Sequence, residues 1–300
     1  MTALPLTKEQ RFKKIQGYID KMPSLSTTVT KVLEVCNKPN TAPNDLNRVI
    51  SLDPVLTGQV LKLINSAYYS LPNQITSLTR AIIMLGINTV KNLALSTAIL
   101  GTFSQEDSFQ TLSMDQFWTH SISVGVTAKA LASRKGIPAA AREEYFVAGL
   151  LHDLGKIPLN NCLVSDYTQV MELAALDQSP LVNAETMVLG FDHGLVGKMI
   201  AEKWQLSNTI TESLCFHHEP SGATQENRML TAMVALANIY ANLYDFGSAG
   251  DPFPEGPIIS YLLNTLGFTW ADMSALRHTV AAEVEKAQIF LQVSKEAKSL

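Results

Sequence analysis

The chain has 300 residues, of which 46% are hydrophobic and 17% charged, and its net charge is −4. This composition predicts one or two globular domains with a substantial hydrophobic core. The charge is uneven, since residues 1–110 carry 11 basic and 7 acidic side chains while residues 111–300 carry 12 and 20. Neither part approaches the dense basic patch of a dedicated nucleic-acid-binding protein.

The cysteines and the hydropathy pattern argue against several further classes of protein. Cys36, Cys162 and Cys215 are odd in number, widely spaced and without a CxxC pair, so they indicate neither a disulfide framework nor a zinc–thiolate site. The first residues, MTALPLTKEQ, lack the apolar region of a signal peptide, and no apolar run reaches the roughly 18 residues of a membrane span. We therefore expect a cytoplasmic protein with no membrane partner.

Helical periodicity recurs through the first hundred residues. Asn44 is predicted to cap one helix, Pro54 to begin the next, and Ser77 to cap a third that ends before Gly86. Apolar residues at helical spacing support these boundaries. The predicted helices cover residues 28–36, 45–51, a segment from Pro54, 78–85 and 87–100.

The remaining sequence is also helical in pattern, and no strand alternation or internal repeat is present. A polar stretch at 104–113 is the best candidate boundary, and helices are predicted at 115–134 and 142–151. The expected fold is all-α, a helical bundle with an N-terminal helical lobe. Its expected divisions are the lobe (1–108), a helical core (109–257) and C-terminal helices packed on that core (258–300).

The stretch VAGLLHDLGKIPL (147–159) places His152 and Asp153 at the end of an almost entirely apolar helix. Such a helix is expected to be buried, and a buried His and Asp each need a partner to offset the cost of desolvation. A metal ion would satisfy both side chains, and so would a hydrogen-bond network. This pair alone does not separate the two possibilities.

Four further histidines have positions suited to chemistry. The spacings of 32, 41 and 24 residues between His120, His152, His193 and His217 exclude a single-helix motif, so these side chains would have to converge from different helices. His218 follows His217 directly, whereas His278 has no partner motif and is expected at the surface. Imidazole and carboxylate ligands suit iron, manganese or zinc. A purely structural role for each histidine remains open at this stage.

The pattern H120…H152-D153…H193…H217-H218 resembles the HD superfamily of metal-dependent phosphohydrolases, which includes the HD-GYP phosphodiesterases. The N-terminal segments MPSLSTTVTKVLEVCNKPN, SLDPVLTGQVLKLINSAYYS and QITSLTRAIIMLGINTVKNLALSTAIL resemble the HDOD domain, an HD-related output domain of bacterial signalling proteins. The NSAYY and LGxxxVKNLAL stretches are the parts that distinguish the HDOD domain. The likeness extends from about residue 20 to residue 245, and it implies an HD-type metal-binding core.

The resemblance implies one or two divalent transition-metal ions, with iron the first choice and manganese or zinc the alternatives. Asp153 would bridge the two ions. His218 would lie outside the coordination shell or replace His217, because adjacent helical side chains diverge by about 100°. The implied ligands are His120, His152 and Asp153 for one ion, and Asp153, His193 and His217 or His218 for the other.

The sequence departs from the HD enzymes in two places. Asn238 occupies the position at which those enzymes carry an Asp ligand for the first ion. An amide oxygen can bind a hard cation, but it adds no negative charge. The segment after His217-His218 reads EPSGATQENR and lacks the GYP element. A site with few carboxylates is expected to hold one ion loosely, or to favour an anion such as phosphate.

Two more positions follow from the resemblance. Lys156 matches the HDxxK lysine, which would lie near a substrate phosphate and is included with Asp153 among the candidate catalytic residues. The alternative is a solvated lysine at a helix end. Asp192 and Glu185 could orient His193 through its second ring nitrogen, or serve as capping and surface carboxylates.

The sequence thus favours a bacterial signal-transduction domain with a retained HD-type metal site and weak or no phosphohydrolase activity. An active metal-dependent phosphohydrolase is the alternative. Nucleic-acid binding ranks third, because the helix-turn-helix appearance of residues 44–64 requires only two short helices separated by Asp-Pro. The expected partner is a signalling protein or a phosphate-containing small molecule.

Overall fold

The computed structural model describes residues 6–38, 40–103, 111–251, 253 and 256–296. Every regular element within these residues is helical, and they contain no strand, which confirms the all-α prediction. The predicted boundary near residue 108 lies outside the described residues.

Six helices make up the N-terminal third of the chain. Side-chain oxygens of Ser26, Asp53 and Ser77 accept first-turn N–H groups, as helix caps do. The predicted cap at Asn44 is wrong. Pro43, with its fixed φ, begins that helix two residues earlier than predicted, and Ala42 takes the cap position. The helices are α1 (Lys8–Lys21), α2 (Thr27–Cys36), α3 (Pro43–Ile50), α4 (Pro54–Ile64), α5 (Leu78–Leu85) and α6 (Ile87–Phe103).

The NSAYY segment follows α4 and turns the chain back. Helix α4 ends at Ile64, and the amide of Asn65 donates to the carbonyl of Ile75 at 2.8 Å and accepts its N–H at 2.7 Å. These paired bonds close the loop between α4 and α5. Tyr68 is buried at the end of this turn, where its ring contacts Phe146 of the helical core.

Eight α-helices form the central part of the chain, and two of them cross at glycine. A Cβ atom on Gly149 would lie 2.7 Å from the Cα atom of Gly125, so the two backbones touch where α7 and α8 cross. This close approach requires both residues to lack a side chain. The helices are α7 (Met114–Arg134), α8 (Ala139–Leu151), α9 (Lys156–Cys162), α10 (Val164–Asp177), α11 (Leu181–Leu189), α12 (His193–Lys203), α13 (Asn208–Phe216) and α14 (Arg228–Leu243).

The C-terminal helices pack on two parts of the molecule. Helix α15 contacts α14 and α17 contacts α7, whereas α18 packs on α4 and α6 of the N-terminal part. Helix α1 lies against α9 and α12 of the central part. The four helices are α15 (Gly256–Leu266), α16 (Trp270–Ala275), α17 (Arg277–Ala287) and α18 (Ile289–Glu296).

One hydrophobic core connects these parts. A single cluster of buried side chains runs from Ile15 in α1 through Phe146 in α8 to Val293 in α18.

His278 is exposed, as predicted. The division of the chain at residues 108 and 257 stays a prediction.

None of the helices in the described segments is by itself long and apolar enough to cross a bilayer. Helices α5 and α6 reach that length only together, and they are bent by 118° at the break between them.

Replacing Gly149 with Ala tests the crossing of α7 and α8. The added methyl group would press on the Gly125 backbone, so we expect the free energy of unfolding to fall by about 1–3 kcal/mol. Gly58→Ala in α4 is the control, because a Cβ atom there meets nothing within 4 Å. That variant should gain about 0.5–1 kcal/mol from the better helix propensity of Ala. Urea unfolding followed by circular dichroism measures both, and equal effects would contradict the proposed contact.

Candidate metal centre

Two of the candidate ligands lie at the ends of helices and cap them. His152 follows the last residue of α8, and its Nδ1 lies 2.7 Å from the carbonyl oxygen of Gly149. His217 follows α13 in the same way, with Nδ1 3.0 Å from the carbonyl oxygen of Leu214. A carbonyl only accepts, so Nδ1 must carry the proton in both rings. Each Nε2 is therefore left with a lone pair directed away from its helix.

A carboxylate, and not a backbone carbonyl, orients the ring of His193. It is the first residue of α12, and Asp192 caps that helix by accepting the N–H of Leu195 at 2.8 Å. Its Nδ1 lies 2.6 Å from Glu185 Oε2, which also accepts its backbone N–H at 2.9 Å. The other oxygen of Glu185 accepts the hydroxyl of the fully buried Tyr167 at 3.0 Å. Of the two carboxylates that the sequence left open, Glu185 therefore orients His193 and Asp192 caps the helix.

Glycines let these helix ends meet. A Cβ atom on Gly155 would lie 1.9 Å from the carbonyl oxygen of His193, so the turn after Asp153 rests directly on the first turn of α12. A Cβ atom on Gly194 would lie 2.8 Å from the carbonyl oxygen of Cys215 at the end of α13. The ends of α8, α12 and α13 can therefore converge because Gly155 and Gly194 have no side chains.

Asp153 lies at the centre of the site, and each of its oxygens faces a different group. Oδ1 is 3.2 Å from Nε2 of His193 and 3.7 Å from Nε2 of His217. Oδ2 is 3.2 Å from Nε2 of His152 and 3.8 Å from Nε2 of His120. We call the first group, with His218, the three-histidine cluster, and the second the two-histidine cluster. In each cluster the potential ligand atoms lie within 4.8 Å of one another.

His218 belongs to the same cluster as His217. Its Nε2 lies 2.9 Å from Nε2 of His193, which is itself 3.1 Å from Nε2 of His217. The divergence expected for adjacent helical side chains is not observed, because α13 already ends at Phe216 and the two histidines lie in the following turn. Three imidazole nitrogens therefore converge instead of two.

The two-histidine cluster has an amide as its neighbour. Nε2 of His120 lies 3.0 Å from Oδ1 of Asn238 in α14, as the predicted position of Asn238 implied. The same amide oxygen lies 3.4 Å from Nδ2 of Asn242. Nδ1 of His120 and Nε2 of His152 are both buried, and neither has a hydrogen-bond partner among the described residues.

Lys156 is buried. Its side chain is fully shielded from solvent, and its Nζ lies 2.9 Å from Asp153 Oδ2 and 3.2 Å from the carbonyl oxygen of Ala249. The alternative of a solvated lysine at a helix end is therefore wrong. The apolar turn that carries Asp153 directs the ammonium inward, and a buried ammonium requires a paired carboxylate.

The charges of the site are fixed by these neighbours. Burial alone would raise the pKa of Asp153, but His152 and Lys156 outweigh burial and hold that pKa well below its usual range. Burial would lower the pKa of Lys156, yet nearby carboxylates, Asp153 first, raise it. Burial lowers the pKa of His120 to about 3. Burial also opposes protonation of His193, but Glu185 outweighs it and raises that pKa to about 10.

The three-histidine cluster fits a divalent metal ion. Its nitrogens are separated by 2.9 and 3.1 Å, about the spacing of neighbouring ligands on one ion with metal–nitrogen bonds of about 2.0–2.1 Å. The lone pairs of His193 and His217 would repel at such a distance without a cation or proton between them. Oδ1 of Asp153 adds a buried carboxylate oxygen with no aligned hydrogen-bond donor. Imidazole and carboxylate ligands suit iron, manganese and zinc.

Residues 247–251 lie against the site. A Cβ atom on Gly247 would lie 2.3 Å from the backbone nitrogen of His120, and the N–H of Ser248 donates to the carbonyl of Gln116 at 3.1 Å. Asp251 is buried and accepts the N–H of Leu181 at 3.1 Å. Together with the Ala249 contact to Lys156, these bonds hold residues 247–251 against the site. Sequence reasoning missed this role and that of Tyr167, because neither residue type nor spacing marks them.

Comparison with known proteins agrees with this helical architecture. The HDOD domain family matches residues 22–220 of the chain. The chain belongs to the HDOD family. A protein of Treponema pallidum (strain Nichols), described as uncharacterized, is 25% identical over 241 residues, which are 80% of this chain and 46% of that protein. The chain thus spans about half the length of this relative.

Solved structures share the fold. An HDOD domain protein of unknown function from Geobacter sulfurreducens is 24% identical with a TM-score of 0.72, over 95% of this chain and 99% of that one. A candidate phosphohydrolase from Shewanella amazonensis SB2B is 21% identical with a TM-score of 0.69, over 94% and 98%. A candidate signal transduction protein from Marinobacter aquaeolei VT8 is 18% identical with a TM-score of 0.70, over 96% and 66%.

Glu185→Gln tests whether Glu185 orients a metal ligand. Loss of the carboxylate that accepts the Nδ1–H of His193 should lower the affinity for Fe²⁺ or Zn²⁺ by about 10–100-fold. Asp192→Asn is the matched control, because an Asn side chain caps a helix as well as Asp does. Calorimetric titration of both variants with each ion gives the affinities. Equal losses in the two variants would argue against a specific role for Glu185.

Proposed function

We propose that this chain is a regulatory HDOD domain of a bacterial signalling system, that its His/Asp site binds a divalent transition metal ion, and that its phosphohydrolase activity is weak or absent. Iron is the first choice of metal. The observation that carries the proposal is the position of Asp153, whose carboxylate oxygens face two groups of buried or half-buried histidines.

Metal binding is supported by the chemistry of the ligands. Hydrogen bonds at Nδ1 of His152, His193 and His217 leave Nε2 of each ring directed into the site. These bonds set both the tautomer and the ring direction, which a metal-binding histidine needs. When bound, a divalent ion would supply Lewis acidity to a phosphate ester.

Weak hydrolysis is supported by the enclosure and the charge of the site. The side chains of His120, His152, Asp153, Lys156, His193 and His217 are at most 2% exposed. Residues 247–251 add to this enclosure, because they lie against Lys156 and the backbone of His120. The Asp ligand of the HD enzymes is replaced by Asn238, so two ions would bring four positive charges to a cluster with one ligating carboxylate. Such a deficit disfavours the pair of ions that clamps attacking and leaving oxygens.

A signalling role is supported by family membership and by the fold shared with a candidate signal transduction protein. The partner would be a signalling protein or a phosphate-containing small molecule. The active phosphohydrolase stays the second candidate, because the five histidines and the HD carboxylate are all retained around one centre.

Asp153→Ala should abolish metal binding, since Asp153 is the carboxylate shared by both clusters. Asp153→Asn keeps the shape of the side chain and is the second variant, because Ala leaves the Lys156 ammonium buried without its partner, a change that costs about 3–5 kcal/mol. Asp177→Ala removes an exposed carboxylate and is the control.

Mass-spectrometric metal analysis of protein purified without added metal, with a screen of phosphate esters, measures both properties. A full metal complement in folded Asp153→Asn would contradict the assignment. Robust turnover by the unmodified protein, lost in Asp153→Asn, would favour the enzyme.

Asn238→Asp should tighten metal binding, because it adds a negative charge to a buried site that has one ligating carboxylate. The expected result is a lower dissociation constant for Fe²⁺ and a rise in hydrolysis of phosphate esters. Asn242→Asp, one helical turn further along α14, places the same charge beside Asn238 and is the control. If both variants gain affinity equally, a specific effect of charge at position 238 is contradicted.

A further inference from the structure

We infer that the site holds a single metal ion, in the three-histidine cluster, and that the ammonium of Lys156 takes the place of a second cation in the two-histidine cluster. This inference rests on the proposed metal binding and adds its position and stoichiometry. It also gives Lys156 a role other than contact with a substrate phosphate.

The three-histidine cluster, together with Asp153, brings more potential ligand atoms together than the two-histidine cluster does. Oδ1 of Asp153 is buried without an aligned hydrogen-bond donor, and it lies 3.2 Å from Nε2 of His193. The Nδ1–H groups of His193 and His217 are used on the far sides of their rings, by Glu185 and by the carbonyl of Leu214. With His218 at 2.9 Å from His193, three nitrogens and one oxygen surround one point. That number is enough for a transition ion.

The two-histidine cluster is already engaged by the chain itself. Oδ2 of Asp153 accepts a hydrogen bond from Lys156 at 2.9 Å, and Nε2 of His120 lies 3.0 Å from the amide oxygen of Asn238. Nε2 of His152 and Nδ1 of His120 are the imidazole nitrogens of this cluster without a hydrogen-bond partner among the described residues. A second ion would have to break the salt bridge and the amide contact, and it would place a dication against a buried ammonium.

The balance of buried charge also favours a single metal ion. Asp153 and Glu185 are buried carboxylates at the site, and the ammonium of Lys156 pairs with Asp153 at 2.9 Å. One dication and the ammonium already bring three positive charges to these two carboxylates. A second dication would add two more positive charges to a largely buried site, which is costly. Lys156 thus completes the neutralisation that a second ion would otherwise provide.

The stoichiometry is tested on the full chain with the metal alone. Protein stripped of metal is loaded anaerobically with excess Fe²⁺, and separately with Zn²⁺, passed through a desalting column and analysed for metal. We expect one ion per chain. Two ions per chain would overturn the inference while leaving the proposed function intact, whereas no retained ion would contradict the proposed function itself.

The position of the ion is tested by a matched pair of variants. His217→Gln should lower affinity by at least about tenfold, whereas His120→Gln should bind the ion within about twofold of the unmodified chain. Both substitutions replace a buried histidine that faces Asp153, so their effects on folding are comparable, and thermal unfolding checks this. The opposite ranking, or equal losses in folded variants, would overturn the inference.

The role of Lys156 is tested by restoring the second site. In Lys156→Met with Asn238→Asp the ammonium is replaced by an apolar side chain of similar length and a ligand carboxylate is added. We expect two ions per chain, and a folded double variant that still holds one would refute the role of Lys156. If this variant does not fold, Asn238→Asp with Lys156 retained should still bind one ion, and two ions there would contradict the inference.

Discussion

Gly155 lies so close to the first turn of α12 that no side chain can be placed on it, and the rest of the site depends on this contact. It holds the turn after His152 and Asp153 against the backbone of His193. Gly194 brings α12 to the end of α13 in the same way, and Gly125 with Gly149 brings α7 to α8. The site is therefore assembled by backbone contacts between helices. Side-chain chemistry then has only to fill a space whose walls are fixed.

Satisfying buried polar groups then determines what that space contains. A histidine at a helix C-terminus has two roles. Its Nδ1–H donates to a backbone carbonyl that has no partner within the helix, and its Nε2 is directed into the site. Lys156 and Asp153 neutralise each other, and Glu185 is held by both His193 and Tyr167. Each buried charge in the site thus has a named partner, as the cost of burying an unpaired charge requires.

Much of the fold was predictable because local signals decide it. Caps at Asp53 and Ser77, the break at Gly86 and the long apolar helices are properties of short segments. The convergence of His120, His152, Asp153 and His193 followed from the spacing and from the family resemblance. Asn44 misled because a proline one position earlier starts the helix first.

The remaining features depend on contacts between distant segments. Nothing local indicates that a Gly-rich stretch at residue 247 packs on His120, or that Tyr167 reaches Glu185. The place of His218 depends on the residue at which α13 ends, a boundary that periodicity locates only approximately. The burial of Lys156 is likewise decided by tertiary packing, because the sequence around it is equally compatible with a lysine at the surface.

The hydrogen bonds that orient the histidine rings lower the entropic cost of binding a metal ion. Those of His152, His193 and His217 are made to the protein's own carbonyl and carboxylate oxygens, so the rings keep their directions whether or not an ion is between them. Small zinc domains, by contrast, gain their structure only when the metal organises their ligands. Here the conformational entropy of the ligands is lost when the chain folds, and coordination has little further ordering to do. Removing the ion should therefore leave a protein with the same tertiary structure, in which the site changes mainly in its electric field.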